Sequence, residues 1–578
     1  MKTSVKSGTV RRLLVIVGRH GWLCILTLIS AAVYVACALL VPVFVGRAID
    51  VIRDGGEWDE MMRALICAGT FAVTGGAALF VQGIANNLAA WAILRELRSE
   101  TFEKLQRLPL SYIDSHPHGD VVSRIIADAD TVADGVLMGF TQLFSGALTI
   151  GATLVIMFLI NPLIAGIVVV LTPLSALISG YIARKTYSYF RAQAELKGEE
   201  TAYINETVTG MRTVRAFGNG GKALERFKEI NGRYEVSSRN AVFFSSLVNP
   251  TTRFVNAAIY AAVAGIGGIS CITGGLTVGS LSVFLNYAGQ YTKPFNEISG
   301  VMAELQNALA CAERIFELND ETEIPPDPPY KPKAFAGDVQ IDDMSFSYTK
   351  DRKLIEHFSL IVDRGKRVAV VGPTGCGKTT LINLLMKFYT PDSGRITLDG
   401  EDINGIPSPV LRSSFGMVLQ DTWLSEDSVR ENLKMGRPEA TDEEMIEAAK
   451  KCSCHGFISR LKNGYDTVLR EGGGLSDGQK QLLCICRAML SNPPMLILDE
   501  ATSSIDTMTE RRVQRAMDVL CAGRTCFIVA HRLSTITGCD VIIAMKDGKI
   551  VEQGSHAELM ARNGFYAELY ASQFAEEQ

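Results

Sequence analysis

Residues Gly372–Thr379 read GPTGCGKT, which fits G-x-x-x-x-G-K-[ST] throughout. Gly372, Gly375 and Gly377 let main-chain N–H groups wrap an oligophosphate, with Pro373, Thr374 and Cys376 set between them. Lys378 supplies a cation for the terminal phosphates and Thr379 a hydroxyl for Mg²⁺. Thr380 follows at the start of a helix whose positive end faces the anion. Further along, PPMLILDE closes an apolar run on Asp499 and Glu500. Beside a phosphate loop, Asp499 can hold Mg²⁺ through water and Glu500 can polarise an attacking water as a general base. The chemistry expected of these residues is Mg²⁺-assisted cleavage of a nucleoside triphosphate.

Such residues need a scaffold, and the sequence around them reads as α/β. RVAVV before the loop is a short apolar strand, the residues after it form an amphipathic helix, and VQIDDMSFSY alternates as a strand does. Upstream, residues 319–337 hold five prolines, which exclude a helix and mark a boundary. The expected organisation is a membrane domain over 1–318, a linker over 319–337 and a nucleotide-binding domain over 338–578.

The membrane expectation comes from missing charge. A span needs roughly 20 apolar residues. Uncharged stretches 21–46 and 64–94 are each long enough for one span. Stretch 135–183 is long enough for two, broken at Asn161-Pro162, and 254–292 for two, broken at CITGGLTVG. Six spans are expected, near 21–46, 64–94, 135–160, 163–183, 254–273 and 277–300. Segment 46–61 holds two arginines against five acids, whereas 92–135 and 184–253 hold five and twelve Lys/Arg. The basic segments are expected in the cytoplasm with both termini, as helical extensions of the spans. The N-terminal apolar run is too long for a signal peptide.

Net charge is −5, so no nucleic-acid partner is implied, and thirteen cysteines without framework spacing suggest reduced thiols. The pairs Cys452/Cys454 and Cys484/Cys486 lack C-x₂-C spacing, which argues against a metal site. Polar residues inside membrane stretches are costly and tend to face a cavity or another helix. Asn86, Asn87, Asn256, Asn286, Gln290 and Lys293 are the candidates. For the amides, bonds between helices are the plainer reading. For Lys293, a pair with Glu297 at i,i+4 and a contact with substrate stand equal.

With these residues in hand, the chain resembles an ATP-binding cassette (ABC) transporter of the exporter type, a half-transporter with fused membrane and nucleotide domains. The resemblance implies a fold of six transmembrane helices with long cytoplasmic extensions, followed by an α/β P-loop ATPase domain with a helical subdomain. It implies that Tyr348 stacks on adenine, Gln420 in GMVLQDT senses Mg²⁺, His531 in FIVAHRLSTI contacts the γ-phosphate, and Asp506 follows the second acid in SSID. It also implies short transverse helices that meet the nucleotide domain, with Ser115–Ile125 and Ile204–Val214 as candidates. The family's signature, LSGGQ, presents its serine and N–H groups to ATP held by the opposite subunit.

Here the signature reads Leu475-Ser476-Asp477-Gly478-Gln479. A carboxylate at Asp477 faces the triphosphate, and like charges about 4 Å apart repel by roughly 1 kcal/mol in water and several-fold more in a drier interface. The site completed by this signature is expected to turn over poorly, while Glu500 and His531 stand intact. The resemblance then implies a heterodimer, with one competent and one degenerate ATP site and a second, different half-transporter subunit as partner; a homodimer is the alternative. The expected activity is ATP-driven export of a small or amphipathic substrate by alternating access, from an integral multi-pass position in a bacterial cytoplasmic membrane. An importer of siderophore type on the same fold, and a non-hydrolysing regulatory subunit, remain as other readings.

Overall fold

The computed structural model of the 578-residue chain describes residues 7–331, 333–349, 353–419, 422–470, 474–500, 507–530 and 536–576. Contacts divide it into two units, Met1–Arg107 with His116–Glu321, and Leu108–Ser115 with Thr322–Gln578.

The first unit is helical. Helices α1 (Ser7–Arg19), α2 (Gly21–Arg53) and α3 (Trp58–Arg107) precede α4 (Leu110–Ser115), which groups with the second unit. Then come α5 (His118–Ser123), a π-helical turn Arg124–Asp128, α6 (Ala129–Ile160) and α7 (Pro162–Thr209). The unit closes with α8 (Met211–Ala216), α9 (Gly220–Ser246), α10 (Val248–Ile272) and α11 (Val278–Asp320). Among the described residues, Gly21–Arg53, Trp58–Arg107, His118–Ile160 and Arg253–Ile272 are long and apolar enough to cross a membrane, and Pro162–Thr172 is a shorter apolar helix.

Local chemistry sets the breaks. The Asn161 side-chain Oδ1 accepts from the N–H groups of Leu163 (3.1 Å) and Ile164 (3.2 Å), and Pro162 takes the first helical position, where no N–H is needed. Asp50 on α2 accepts from Thr277 Oγ1 and from the Gly279 N–H, both at 2.7 Å, and so pins the start of α11. There α2 and α11 nearly touch: a Cβ on Gly279 would lie 2.0 Å from the Gly46 carbonyl oxygen.

The transverse helices differ from expectation. Ser115–Ile125 is not one helix. Pro117 disfavours helical backbone at His116 and is itself extended in ψ (129°), so the chain breaks at His116-Pro117 into α4 and α5, and α4 is the part that joins the second unit. Ile204–Val214 straddles Gly210, where α7 ends and α8 begins.

The second unit holds β1 (Val339–Phe346), β2 (Ile355–Val362), β3 (Arg367–Val371), α12 (Lys378–Leu385), β4 (Ser393–Leu398), β5 (Glu401–Asp402), α13 (Ser408–Ser413) and β6 (Phe415–Val418). A helical stretch follows, α14 (Val429–Lys434), α15 (Asp442–Lys451), α16 (His455–Ile458) and α17 (Asp477–Ser491). Then come β7 (Met495–Glu500), α18 (Thr507–Cys521), β8 (Thr525–Ala530), β9 (Val541–Lys546), β10 (Lys549–Gly554), α19 (His556–Arg562) and α20 (Phe565–Glu576). The main sheet runs β10-β9-β3-β8-β7-β6, parallel except for the β9–β10 pair, and an antiparallel sheet runs β2-β1-β4-β5. Strands covered on both faces are apolar throughout, as VVGP-preceding VAVV and MLIL are. All thirteen cysteines are free, and Cys452, Cys454, Cys484 and Cys486 pack into the core under α15 and α17.

Candidate functional site

In a parallel sheet, ligands gather beyond the carboxyl ends of the strands. The register brings three such ends level. Val370 pairs with Val529, Val529 with Asp499, and Ala530 with Glu500. With strands about 4.8 Å apart, Asp499 on β7 lies two strands, on the order of 10 Å, from the end of β3. That separation suits an ion and phosphate oxygens between them. Asp499 is 9% exposed, and Glu500 ends β7, its side chain lying outside the described residues.

From β3 the chain enters the loop at Gly372, with φ 152°. A Cβ there would meet the Met545 carbonyl oxygen at 2.2 Å and Cys376 Sγ at 2.8 Å, so no side chain fits. Gly375 (φ 83°) and Gly377 (φ 103°) also occupy conformations that favour glycine, and Gly377 caps α12. The Lys378 ammonium, 8% exposed, donates to the carbonyls of Gly372 (2.7 Å) and Pro373 (3.1 Å). It is held folded over the loop, where these two neutral carbonyls can be exchanged for phosphate oxygens. Burial raises the Cys376 thiol, opposed by the Lys378 charge, which makes Cys376 a packed residue of the loop.

A cleft of about 450 Å³ opens over this loop, lined by Lys378, Thr379, Thr380, Thr374 and Tyr348 among others. The Tyr348 ring is half exposed on the cleft. Phe346 and Tyr389 meet it edge-on, at centroid distances of 5.0 Å each, and Asn383 Nδ2 donates to its hydroxyl at 3.3 Å. Thr379 and Asp499 offer a hydroxyl and a carboxylate, hard oxygen donors that fit Mg²⁺.

Three expected site residues, Gln420, Asp506 and His531, lie outside the described residues. What precedes two of them is described: β6 ends at Val418 and β8 at Ala530, both on the edge that carries Asp499.

The signature opens α17. Ser476 is its N-cap and makes a capping box: Ser476 Oγ accepts the Gln479 N–H (3.3 Å), and Gln479 Oε1 accepts the Ser476 N–H (3.0 Å). Gly478 is buried, and Asp477, the first helical residue, is exposed. Lys480 Nζ lies 3.3 Å from Asp477 Oδ1, a counter-charge one turn away. The spacing made that partner readable from the sequence.

Of the membrane candidates, Asn286, Gln290 and Lys293 form one stripe along α11. Asn286 and Lys293 are exposed, and Gln290 Nε2 reaches the Ala38 carbonyl of α2 at 3.5 Å. Asn86 accepts from Thr141 Oγ1 (3.3 Å), a bond between helices. Asn256 Oδ1 is buried with no hydrogen-bond partner among the described residues. The side chain of Glu297, the expected partner of Lys293, lies outside the described residues. Sequence reasoning missed Tyr389 altogether, because its contacts join distant segments and follow no local spacing.

Comparison with known proteins gives two matches along the chain. Residues 24–295 match the family model of the ABC transporter transmembrane region, and residues 355–503 that of the ABC transporter. A fatty acid ABC transporter ATP-binding/permease protein of Mycobacterium tuberculosis is 41% identical over 517 residues, 89% of this chain and 82% of that protein. An uncharacterized ABC transporter ATP-binding protein of Bacillus subtilis is 35% identical over 577 residues, 99% of this chain and 95% of its own length. An ATP-dependent lipid A-core flippase of Desulfotalea psychrophila is 36% identical over 511 residues, 86% and 88% of the two chains.

Proposed function

This chain belongs to the ABC transporter family, as an exporter-type half-transporter and multi-pass membrane protein whose ATPase is coupled to transport, and we propose that it forms one half of a heterodimer that exports an amphipathic, acyl-bearing molecule. The names of two relatives, a fatty acid transporter and a lipid A-core flippase, support that substrate class. In this reading six segments, near 21–46, 64–94, 135–160, 163–183, 254–273 and 277–300, span the membrane, with both termini and the ATPase domain in the cytoplasm. The stripe Asn286, Gln290 and Lys293, with Asn256 Oδ1, which has no partner among the described residues, is offered to the cargo's polar group.

At the ATP site, Tyr348 stacks on adenine and the loop Gly372–Thr379 cradles the phosphates. Lys378 leaves its two carbonyl partners for the β- and γ-phosphates. Thr379, Gln420 and Asp499 would hold Mg²⁺, which when bound would neutralise charge building on the phosphate oxygens. Glu500 takes the proton of the attacking water, His531 steadies the γ-phosphate, and Asp506 lines the loop beyond. The observation that carries this reading is the levelled sheet edge, which sets the Lys378 loop and the Asp499-Glu500 pair at one place. Across the dimer, Ser476, Gly478 and Gln479 face the partner's ATP, and Asp477 makes that site slow. A homodimer is the second reading, favoured by the Asp477–Lys480 pair, which moderates the negative charge.

Replacing Glu500→Gln in the purified complex tests the assignment. Loss of a general base costs roughly 10²–10⁴-fold in turnover. ATP binding is expected to persist, and near-normal hydrolysis would refute the role of Glu500.

A further inference from the structure

Tyr389 stands in the second unit between the nucleotide cleft and α4. Its hydroxyl donates to Asp114 Oδ2 at 2.6 Å, a bond between residues 275 apart in the chain. Its ring meets Tyr348 edge-on, at a centroid distance of 5.0 Å and an angle of 90°, and Phe346 at 5.6 Å and 67°. Phe346 itself packs edge-on to Tyr348 at 5.0 Å, so the three rings form a closed triangle. Edge-to-face pairs have a preferred geometry, so turning one ring disturbs the other two. Burial, and then the Asp114 carboxylate, push the Tyr389 phenol above its ordinary range, which keeps its proton on and donating.

Tyr348 is half exposed, and its hydroxyl has one further described anchor, Asn383 Nδ2 at 3.3 Å. The rotation of the Tyr348 ring is therefore set mainly by Phe346 and Tyr389. Phe346 is fixed in the core of the unit. Tyr389 is half-buried, and its bond to a carboxylate on α4 fixes its tip. α4 is also the connector between the two long helical runs α3 and α5–α6.

We propose that Asp114 is a positioning residue for the base pocket: it holds Tyr389 by its hydroxyl, Tyr389 holds Tyr348 face-on to adenine, and base binding and the placement of α4 are thereby one equilibrium. The proposal rests on the reading of Tyr348 as the base-stacking residue. Whatever shifts α4 from Asp114's bond loosens the base, and a bound base tightens α4, because such coupling is reciprocal.

The test uses the full-length complex in lipid nanodiscs. Asp114→Ala is expected to raise KM for ATP three- to tenfold with kcat within twofold. Inorganic tripolyphosphate, which has no base, is the second probe, and its inhibition constant is expected to stay unchanged. Asp114→Asn keeps an oxygen acceptor for the phenol and is expected to restore KM, whereas Tyr389→Phe, which keeps the ring and loses the O–H, should behave like Asp114→Ala. In a Tyr348→Ala background the effect of Asp114→Ala should vanish. Equal weakening of ATP and tripolyphosphate would mean a loosened unit and overturn the proposal, as would an unchanged KM in Asp114→Ala. Should Tyr348→Ala alone leave KM for ATP unaltered, the stacking role of Tyr348 fails first, and that outcome is separable from a failure of the Asp114 link.

Discussion

Replacing Asp477→Gly separates two opposite effects of one carboxylate. As the first residue of α17, Asp477 sits where a negative charge favours the helix by about 0.3–1 kcal/mol. Its pair with Lys480, 3.3 Å away and exposed, adds about 0.2–0.5 kcal/mol. Glycine removes both and adds backbone freedom, so α17 is expected to lose about 1–2 kcal/mol. Toward ATP the sign reverses. At about 4 Å the carboxylate repels each phosphate charge by roughly 1 kcal/mol in water and about 4 kcal/mol at an effective dielectric of 20, with Lys480 offsetting part. A net gain of about 1–2 kcal/mol is a factor of roughly 5–30 in occupancy of the partner's P-loop. Photolabelling with an azido-ATP in the purified complex, resolved by chain, measures that occupancy against concentration. The expected result is a 5- to 30-fold leftward shift on the partner chain alone, with a thermal midpoint lowered by a few degrees. An unchanged partner curve beside the lowered midpoint would refute the claim that Asp477 acts on nucleotide, leaving it as a helix residue satisfied by Lys480.

Two further outcomes follow from the packing. Gly279→Ala puts a methyl 2.0 Å from the Gly46 carbonyl oxygen and 2.5 Å from Asp50 Oδ2, so α2 and α11 must part; about 1–3 kcal/mol of destabilisation is expected, read as a lower thermal midpoint in detergent, while Gly289→Ala, which meets nothing within 4 Å, should be silent. Cys376 is 3% exposed and burial raises its thiol above the ordinary range, so alkylation of Cys376 should be slow at pH 8 and level off at a higher pH than that of a free thiol in the same buffer; a plateau at or below the free thiol's would contradict its burial.

The phosphate loop was legible because its chemistry dictates residue types at fixed spacing, and because Gly372 has no room for a side chain. The apolar helices were legible from missing charge, and Asn161-Pro162 from the rule that proline suits a first helical turn. What failed was short or long-range. α4 is six residues long, too short to show a period, and one helix over Ser115–Ile125 leaves no room for the break at Pro117. The Tyr389–Asp114 bond spans 275 residues, and no spacing rule reaches across that distance. Lys480 is a different miss: it lies three residues from Asp477 on the same helix face, a spacing that signals a partner, and it moderates the charge that the signature alone suggests.

In the proposed heterodimer this chain supplies the ATP-cleaving residues to one of two unequal sites. Native mass spectrometry of the complex, purified in mild detergent through a tag on this chain, tests it most directly. The expected complex holds one copy of this 62.8 kDa chain with one different cassette subunit, whose own signature carries both glycines. Two copies of this chain and no other subunit would contradict it, since both sites would then carry Asp477 and be equal.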